Sequence, residues 1–157
     1  WFFQVEVTIH GSHYAIFSKV GTHQADVTLS LINSYCLPIL LYGVETVTLN
    51  KTERVRLNHP LDMVFSKIFG TFNKDIISDC HYYMCFMPLS FTIDVRTLLF
   101  LYRIMRHQPE HSIIKILFDS VGKEEFSQLA AKYNIVSTDS FSVIKSKIWH
   151  VFVNTRT

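Results

Sequence analysis

The chain has 157 residues, enough for one domain with its own core, and fifteen Lys and Arg against thirteen Asp and Glu leave a net charge of only +2, too weak to announce nucleic-acid binding without local clustering. Hydrophobic residues make up 48% of the chain, aromatic residues 14% and charged residues 18%, which is richer in apolar surface than a freestanding domain usually is, as though some of that surface had lost a partner. Cys36, Cys80 and Cys85 are an odd set, which excludes the even framework of a secreted disulfide scaffold and points to an intracellular, reducing compartment, nuclear or cytoplasmic.

Trp1 opens the sequence with no initiator Met and no segment resembling a signal peptide, so the chain reads as truncated at its N-terminus. Val5, Val7 and Ile9 alternate with polar residues and predict at most one short strand there. Ser12 is a plausible N-cap for a helix through Ala15, Ile16 and Phe17 to Val20, stopped by Gly21. From Gln24, the residues Val27, Leu31, Ile32, Tyr35 and Cys36 recur at helical spacing to about Leu37. Pro38 is expected to bend or restart that helix.

The densest apolar run follows. Leu37, Ile39, Leu40 and Leu41 would each release ~1.5–3 kcal/mol on full burial, which places this segment in a core. Interrupted by Pro38 and flanked by Asn33 and Glu45, it falls far short of the ~20 residues a span requires, so neither a membrane span nor a membrane partner is predicted. Asn50 and Glu53 have the spacing of a capping box, opening a helix whose apolar face is Val55, Leu57, Leu61, Val64, Phe65, Ile68 and Phe69, ending at Gly70 and interrupted at His59-Pro60.

Asn73 caps a short helix through Ile76, Ile77 and Cys80. Phe91, Val95, Leu98, Leu99, Tyr102 and Met105 then track the face of a long helix ended by Gln108-Pro109. Ser112 opens a helix through Ile113, Ile116 and Leu117 to Val121, terminated by Gly122. Glu124 to Tyr133 forms another, with Phe126, Leu129 and Ala130 inward, and Phe141 to Val153 a last one. No repeat, linker or low-complexity tract marks a boundary, so residues 1–157 read as a single all-α piece of about six or seven packed helices.

Few residues cluster for chemistry. Polymerase chemistry needs paired metal-binding carboxylates, and the only adjacent acids, Glu124-Glu125, suit the solvated face of a helix. Cys80, His81 and Cys85, with His59 or Cys36 as a fourth, invite a zinc reading, but the spacing lacks two separated ligand pairs and small buried cysteines are the expectation. Tyr82, Tyr83 and Phe86 suit core packing or a base-stacking surface, with core packing expected. Lys51, Arg54 and Arg56 gather at one helix start. Arg96, Arg103 and Arg106, at i, i+7 and i+10, lie along one helix face, as an ordinary solvated face also requires.

One stretch is more specific. Ser34-x-Cys36-x-Pro38-x-Leu40-Leu41-Tyr42-Gly43-x-Glu45, with Ala15-Ile16-Phe17, Leu49-Asn50-Lys51 and Lys67-x-Phe69 in support, resembles the segment just after the polymerase palm in reverse transcriptases of non-LTR retrotransposons. The resemblance runs from about His13 to Asn134, departing at Tyr14, where that family often has Asn, and at Pro60, where its helix runs unbroken without proline. It implies a helical, thumb-like part with its C-terminal extension, whose ancestral role is gripping template-primer during RNA-templated DNA synthesis. RNA–DNA or DNA duplex is then the partner, held weakly and electrostatically, with Arg96, Arg103, Arg106, Lys51, Arg54 and Arg56 as candidate phosphate contacts. Fingers and palm, with the catalytic aspartates and Mg²⁺, would lie upstream, so this chain by itself has no catalytic residue and no cofactor and is not an enzyme. A helical protein-interaction module, or a decayed retroelement product without function, is the competing expectation.

Overall fold

The computed structural model describes residues 16, 18, 19, 24–107, 109 and 112–155. Among them are six continuous helices and no strand, so the chain is all-α. The short strand expected over Val5 to Ile9 lies outside the described residues. So does most of the Ser12-capped helix, of which only Ile16, Ser18 and Lys19 are described, as helical. Two compact units divide the chain, Trp1–Ser90 and Phe91–Thr157.

In the first unit, helix α1 (25–40) is built of Ala25–Leu31, a π-helical turn Ile32–Cys36, and Leu37–Leu40. The restart expected at Pro38 is real, but it is made by the π turn rather than by a break: the Leu37 N–H donates to the Ile32 carbonyl five residues back. Pro38 then falls in the first turn of the restarted segment, where its missing N–H costs nothing. Leu37, Leu40 and Leu41 are buried as expected, whereas Ile39 is 42% exposed, because a helix cannot turn all four apolar residues of so short a run to one side. Because Pro38 does not end it, the helical run Ala25–Thr46 reaches 22 residues and contains an 18-residue stretch of mean hydropathy 1.6, long and apolar enough by length and composition to cross a membrane. That exceeds the length assigned to the apolar run from sequence. Its Leu29, Ile32, Cys36, Leu37, Leu40, Leu41 and Val44 are buried in the protein, a pattern that core helices share.

Gly43 takes φ +71°, which glycine alone adopts without strain, and turns the chain into a 3₁₀ turn, Val44–Thr46. Helix α2 (Lys51–Phe69) opens with the expected capping box: the Glu53 N–H donates to Asn50 Oδ1 at 2.9 Å and the Asn50 N–H to Glu53 Oε2 at 2.8 Å. It is not interrupted at His59-Pro60. Pro60 lies inside a helix that continues to Phe69, and its buried ring lines, with Leu61 and Val64, an apolar seam against Ile32, Cys36, Leu37 and Leu40 of α1. Packing thus offsets the ~3 kcal/mol that an interior proline costs.

Asn73 caps α3 (Lys74–Tyr83) by accepting from the Asp75 N–H at 2.9 Å. Ile77 is buried, while Ile76 is 47% exposed. The helix closes with two crossed bonds, from the Phe86 N–H to the His81 carbonyl (2.9 Å) and from the Cys85 N–H to the Tyr82 carbonyl (3.0 Å). This is the six-to-one, five-to-two closure of a Schellman turn, which needs a left-handed residue between, and Cys85 fills that place at φ +50°.

The second unit is built on α4 (Leu89–His107), which ends just ahead of Pro109. Leu98, Leu99 and Tyr102 are buried as its spacing predicts, but so are Ile93, Asp94, Thr97, Leu101 and Ile104, so α4 is covered round most of its circumference. Helix α5 (113–132) comprises Ile113–Leu117, a π turn Phe118–Gly122, and Lys123–Lys132. Gly122 does not stop it. A Cβ there would stand 2.9 Å from Phe118 Cδ2 and 3.1 Å from Leu101 Cδ2, so glycine serves close helix packing, not termination. Ser140 caps α6 (Phe141–Asn154), which buries Ile144, Ile148 and Phe152 at i, i+4 and i+8.

Two glycine substitutions should therefore shift stability in opposite directions. Cys85→Gly relieves a left-handed non-glycine residue and should raise the urea midpoint by the equivalent of ~0.5–1 kcal/mol. Gly122→Ala forces Phe118 and Leu101 apart and should lower it by ~1–3 kcal/mol. Equilibrium unfolding followed by circular dichroism reads both.

Candidate nucleic-acid interface

Arg96, Arg103 and Arg106 all project from α4, in the second unit. Arg103 is exposed, and its guanidinium carbon lies 5.3 Å from the ring centroid of Phe141, the first residue of α6. Arg106 is also exposed. Its carbon lies 5.4 Å from the Tyr102 ring one turn back, and its Nη1 donates to Tyr102 Oη at 3.3 Å. Both distances suit cation–π contact, worth ~0.5–1 kcal/mol at an exposed site. Arg96 is half-buried and already engaged in an interaction of its own. The structure thus holds two of the three on rings and leaves the third set back.

Those rings are themselves held. Tyr102 is fully buried, and its hydroxyl lies 2.7 Å from the Ser137 carbonyl and 2.8 Å from that of Asp139, with its single proton shared between the two. Asp139 Oδ2 accepts from Lys147 Nζ at 2.6 Å and from the Val136 N–H at 2.8 Å, and Lys147 also donates to the Asn134 carbonyl at 2.8 Å. The Lys147 bond and then the Val136 N–H hold the Asp139 carboxyl below the usual range. This loop ends at Ser140, the cap that starts α6 with Phe141, so the seat under Arg103 depends on it.

Lys51, Arg54 and Arg56 occupy the first two turns of α2, in the first unit. Lys51 and Arg56 are exposed, while Arg54 is half-buried and already engaged. Cations at a helix start meet the positive end of its dipole, and only Glu53 offsets this locally.

Among the described residues, no group of three His, Cys, Asp or Glu is arranged to hold a metal ion. Cys36 is buried, with burial pushing its thiol up. Cys80 is half-buried, its thiol pushed up by burial and then by Asp79, but Cys85 is exposed, so small buried cysteines is a correct reading for the first alone. Core packing also fails for Tyr83, which is 78% exposed and meets Tyr82 edge-on at 5.4 Å. Two residues on from the buried His81, Tyr83 falls on the opposite side of α3.

One cluster escaped sequence reasoning. Asp94 is 1% exposed, and its Oδ2 accepts from Lys132 Nζ at 2.7 Å and from Tyr133 Oη at 2.5 Å, fastening the end of α5 to α4. The signal was present as a carboxylate on the helix with the clearest apolar pattern, where a charge at a covered position must find partners.

Tyr102→Phe should cost ~1–3 kcal/mol, since it leaves two loop carbonyls without their donor, and thermal unfolding measures it. Because the Asp139 carboxyl is depressed in the folded state, its contribution is full above the ordinary carboxylate pKa of ~3.9 and is lost as pH falls through the depressed value. Asp139→Asn should accordingly lower stability at neutral pH and flatten the acid limb of a stability–pH profile.

No protein family, curated protein or solved structure matches this chain.

Proposed function

We propose that this chain is the helical, thumb-like part of a retrotransposon reverse transcriptase, gripping template-primer duplex within the cell and catalysing nothing by itself. The observation that carries the reading is the pair Arg103 and Arg106, exposed and fixed over aromatic rings on α4. A guanidinium held beside a ring by cation–π attraction still has N–H donors to offer, and such forks can grip phosphate in a bidentate manner. The ligand class comes from the word Cys36-Leu-Pro-Ile-Leu-Leu-Tyr-Gly-x-Glu45. Polymerase chemistry and Mg²⁺ belong to a palm carrying paired carboxylates, which this sequence does not include.

The test is anisotropy of a labelled RNA–DNA hybrid as salt is raised. With Arg103 and Arg106 on phosphates, and Arg96 joining if its present interaction opens, the log–log slope should be about −2 to −3 at roughly −0.9 per phosphate. Arg96, Arg103 and Arg106 all replaced by Glu should abolish binding with the helical signal intact. Unchanged affinity in the folded triple variant would overturn this face and leave Lys51, Arg54 and Arg56 as the next set. Purified chain should incorporate no labelled nucleotide with Mg²⁺ or Mn²⁺.

A protein-interaction module is the second reading, and α5 favours it. Ile113, Ile116, Leu117 and Val121 are 76%, 59%, 60% and 66% exposed, an aliphatic strip of the kind that marks contact surfaces. A chain that binds protein through it and ignores duplex at low salt would decide for this reading.

A further inference from the structure

His81 stands in the last turn of α3 and is 3% exposed. Its ring lies on Phe65 of α2 with centroids 3.9 Å apart and 21° between the planes, and its Nδ1 is 2.9 Å from the Phe86 carbonyl oxygen. A carbonyl can only accept, so Nδ1 carries the proton and Nε2 is bare in the neutral ring. Phe86 answers with its own N–H, donated to the His81 carbonyl at 2.9 Å, and its ring meets Phe65 edge-on at 5.4 Å. Two hydrogen bonds in opposite directions and one aromatic cluster thus tie the Met84–Phe86 turn to α3. The outer side of that turn, with Met84, Cys85 and Phe86, lines a groove whose opposite wall is Asp26, Leu29, Ser30 and Asn33 of α1.

We propose that the His81–Phe86 pair is an acid-released latch, in which protonation of the imidazole frees the Met84–Phe86 turn from α3 and opens the groove between that turn and α1. It lies in the first compact unit and is independent of the nucleic-acid reading. An imidazolium adds an Nε2–H to a site built of rings and one carbonyl, where a buried charge without a counter-ion is costly. The titratable residues of the surrounding elements are Lys74, Asp75 and Asp79 with the thiols of Cys80 and Cys85 on its own segment, Asp62 and Lys67 on α2 and Asp26 on α1, and none of them is among the groups that shift the imidazole. Burial holds the imidazole below its ordinary value and the Phe86 carbonyl opposes this, with no carboxylate among the described residues contributing.

The sign follows from linkage. The folded-state pKa lies below the unfolded ~6.5, so closure is full above that pH and weakens by up to about tenfold per pH unit until the folded-state value is passed. Asp62 acts the other way and lower in pH. Partial desolvation pushes its carboxyl up, against His59 and Lys74, although the residue as a whole is exposed, so its protonation favours the folded form within the carboxylate range.

Amide hydrogen exchange of the full chain between pH 7.5 and 5, corrected for intrinsic rates and read at the Cys85 and Phe86 N–H groups, tests the latch. Protection should fall about tenfold per pH unit below ~6.5 and then level off. His81→Phe, which keeps a ring in the stack, should remove that pH dependence, and His59→Gln, at an exposed position of α2, should leave it intact. Protection independent of pH in the parent chain, or the same fall in His81→Phe, would overturn the proposal. Should His81→Phe not fold, the imidazole resonances of the labelled parent decide: titration at or above the ordinary value overturns the latch, and titration below it, in step with the loss of protection, supports it.

Discussion

A carboxylate that is 1% exposed has to be answered within the fold, and the second unit is arranged as the answer to Asp94. Leaving it unpaired would cost several kcal/mol, more than any one apolar contact on α4 returns. Lys132 and Tyr133 supply the charge and the hydroxyl, which fixes where α5 must end. Ending there requires the chain to reverse at once, and Asn134 does so at φ +51°, with the Ile135 N–H donating to the Ala130 carbonyl at 2.8 Å. The loop that follows is too polar to bury and too short to wander, so it is tied down residue by residue through Tyr102, Asp139 and Lys147. Ser140 and Phe141 then begin α6 in the one place where Phe141 lies under Arg103. The candidate phosphate face is thus downstream, in a physical sense, of a buried carboxylate two elements away.

The first unit solves a different problem. Its most apolar segment contains Pro38 and faces another helix containing Pro60, and two prolines in one small core would ordinarily break both helices. The π turn at Ile32–Cys36 moves the hydrogen-bond ladder to a five-residue step before Pro38, while Pro60 is retained in mid-helix because its ring fills space against α1. Irregularity in one helix and packing in the other let both continue. The sharp reversals fall to residues at positive φ, Gly43, Gly70 and Cys85, of which only the last carries a side chain.

What the sequence made legible was local. The capping box at Asn50 and Glu53, the Asn73 cap and the long helix ending near Pro109 depend on residues within a few positions of one another, and their chemistry reads directly. Pro60 and Gly122 misled because each is a breaker by intrinsic preference and a packing residue in context: the ring of Pro60 meets α1, and a Cβ on Gly122 would meet Phe118 four residues back and Leu101 of α4. The same holds for the site. That Arg103 and Arg106 share a helix face follows from spacing, but that Arg103 rests on Phe141 requires the loop between α5 and α6, and no periodicity encodes a loop. Asp94 was hidden because a charge in an apolar pattern is ordinarily assigned to the wet side, and only burial shows otherwise.

Whether ring-seated arginines are packing or ligand groups is a matter of which part of the guanidinium each role uses. Stacking consumes the face and returns ~0.5–1 kcal/mol. It leaves the N–H edge, of which Arg106 spends one donor on Tyr102 and Arg103 spends none on the ring it covers. An arginine serving only as a wet surface would keep its full rotamer freedom, and ordering it on a phosphate would cost ~0.5–1.5 kcal/mol for each side chain. Seating on Phe141 and Tyr102 meets much of that cost before any ligand arrives. Lysine at the same positions would keep the charge but lose the flat seat and the fork together. The ring contact and the proposed phosphate grip would therefore reinforce one another, since the contact that holds these side chains is what would equip them to bind.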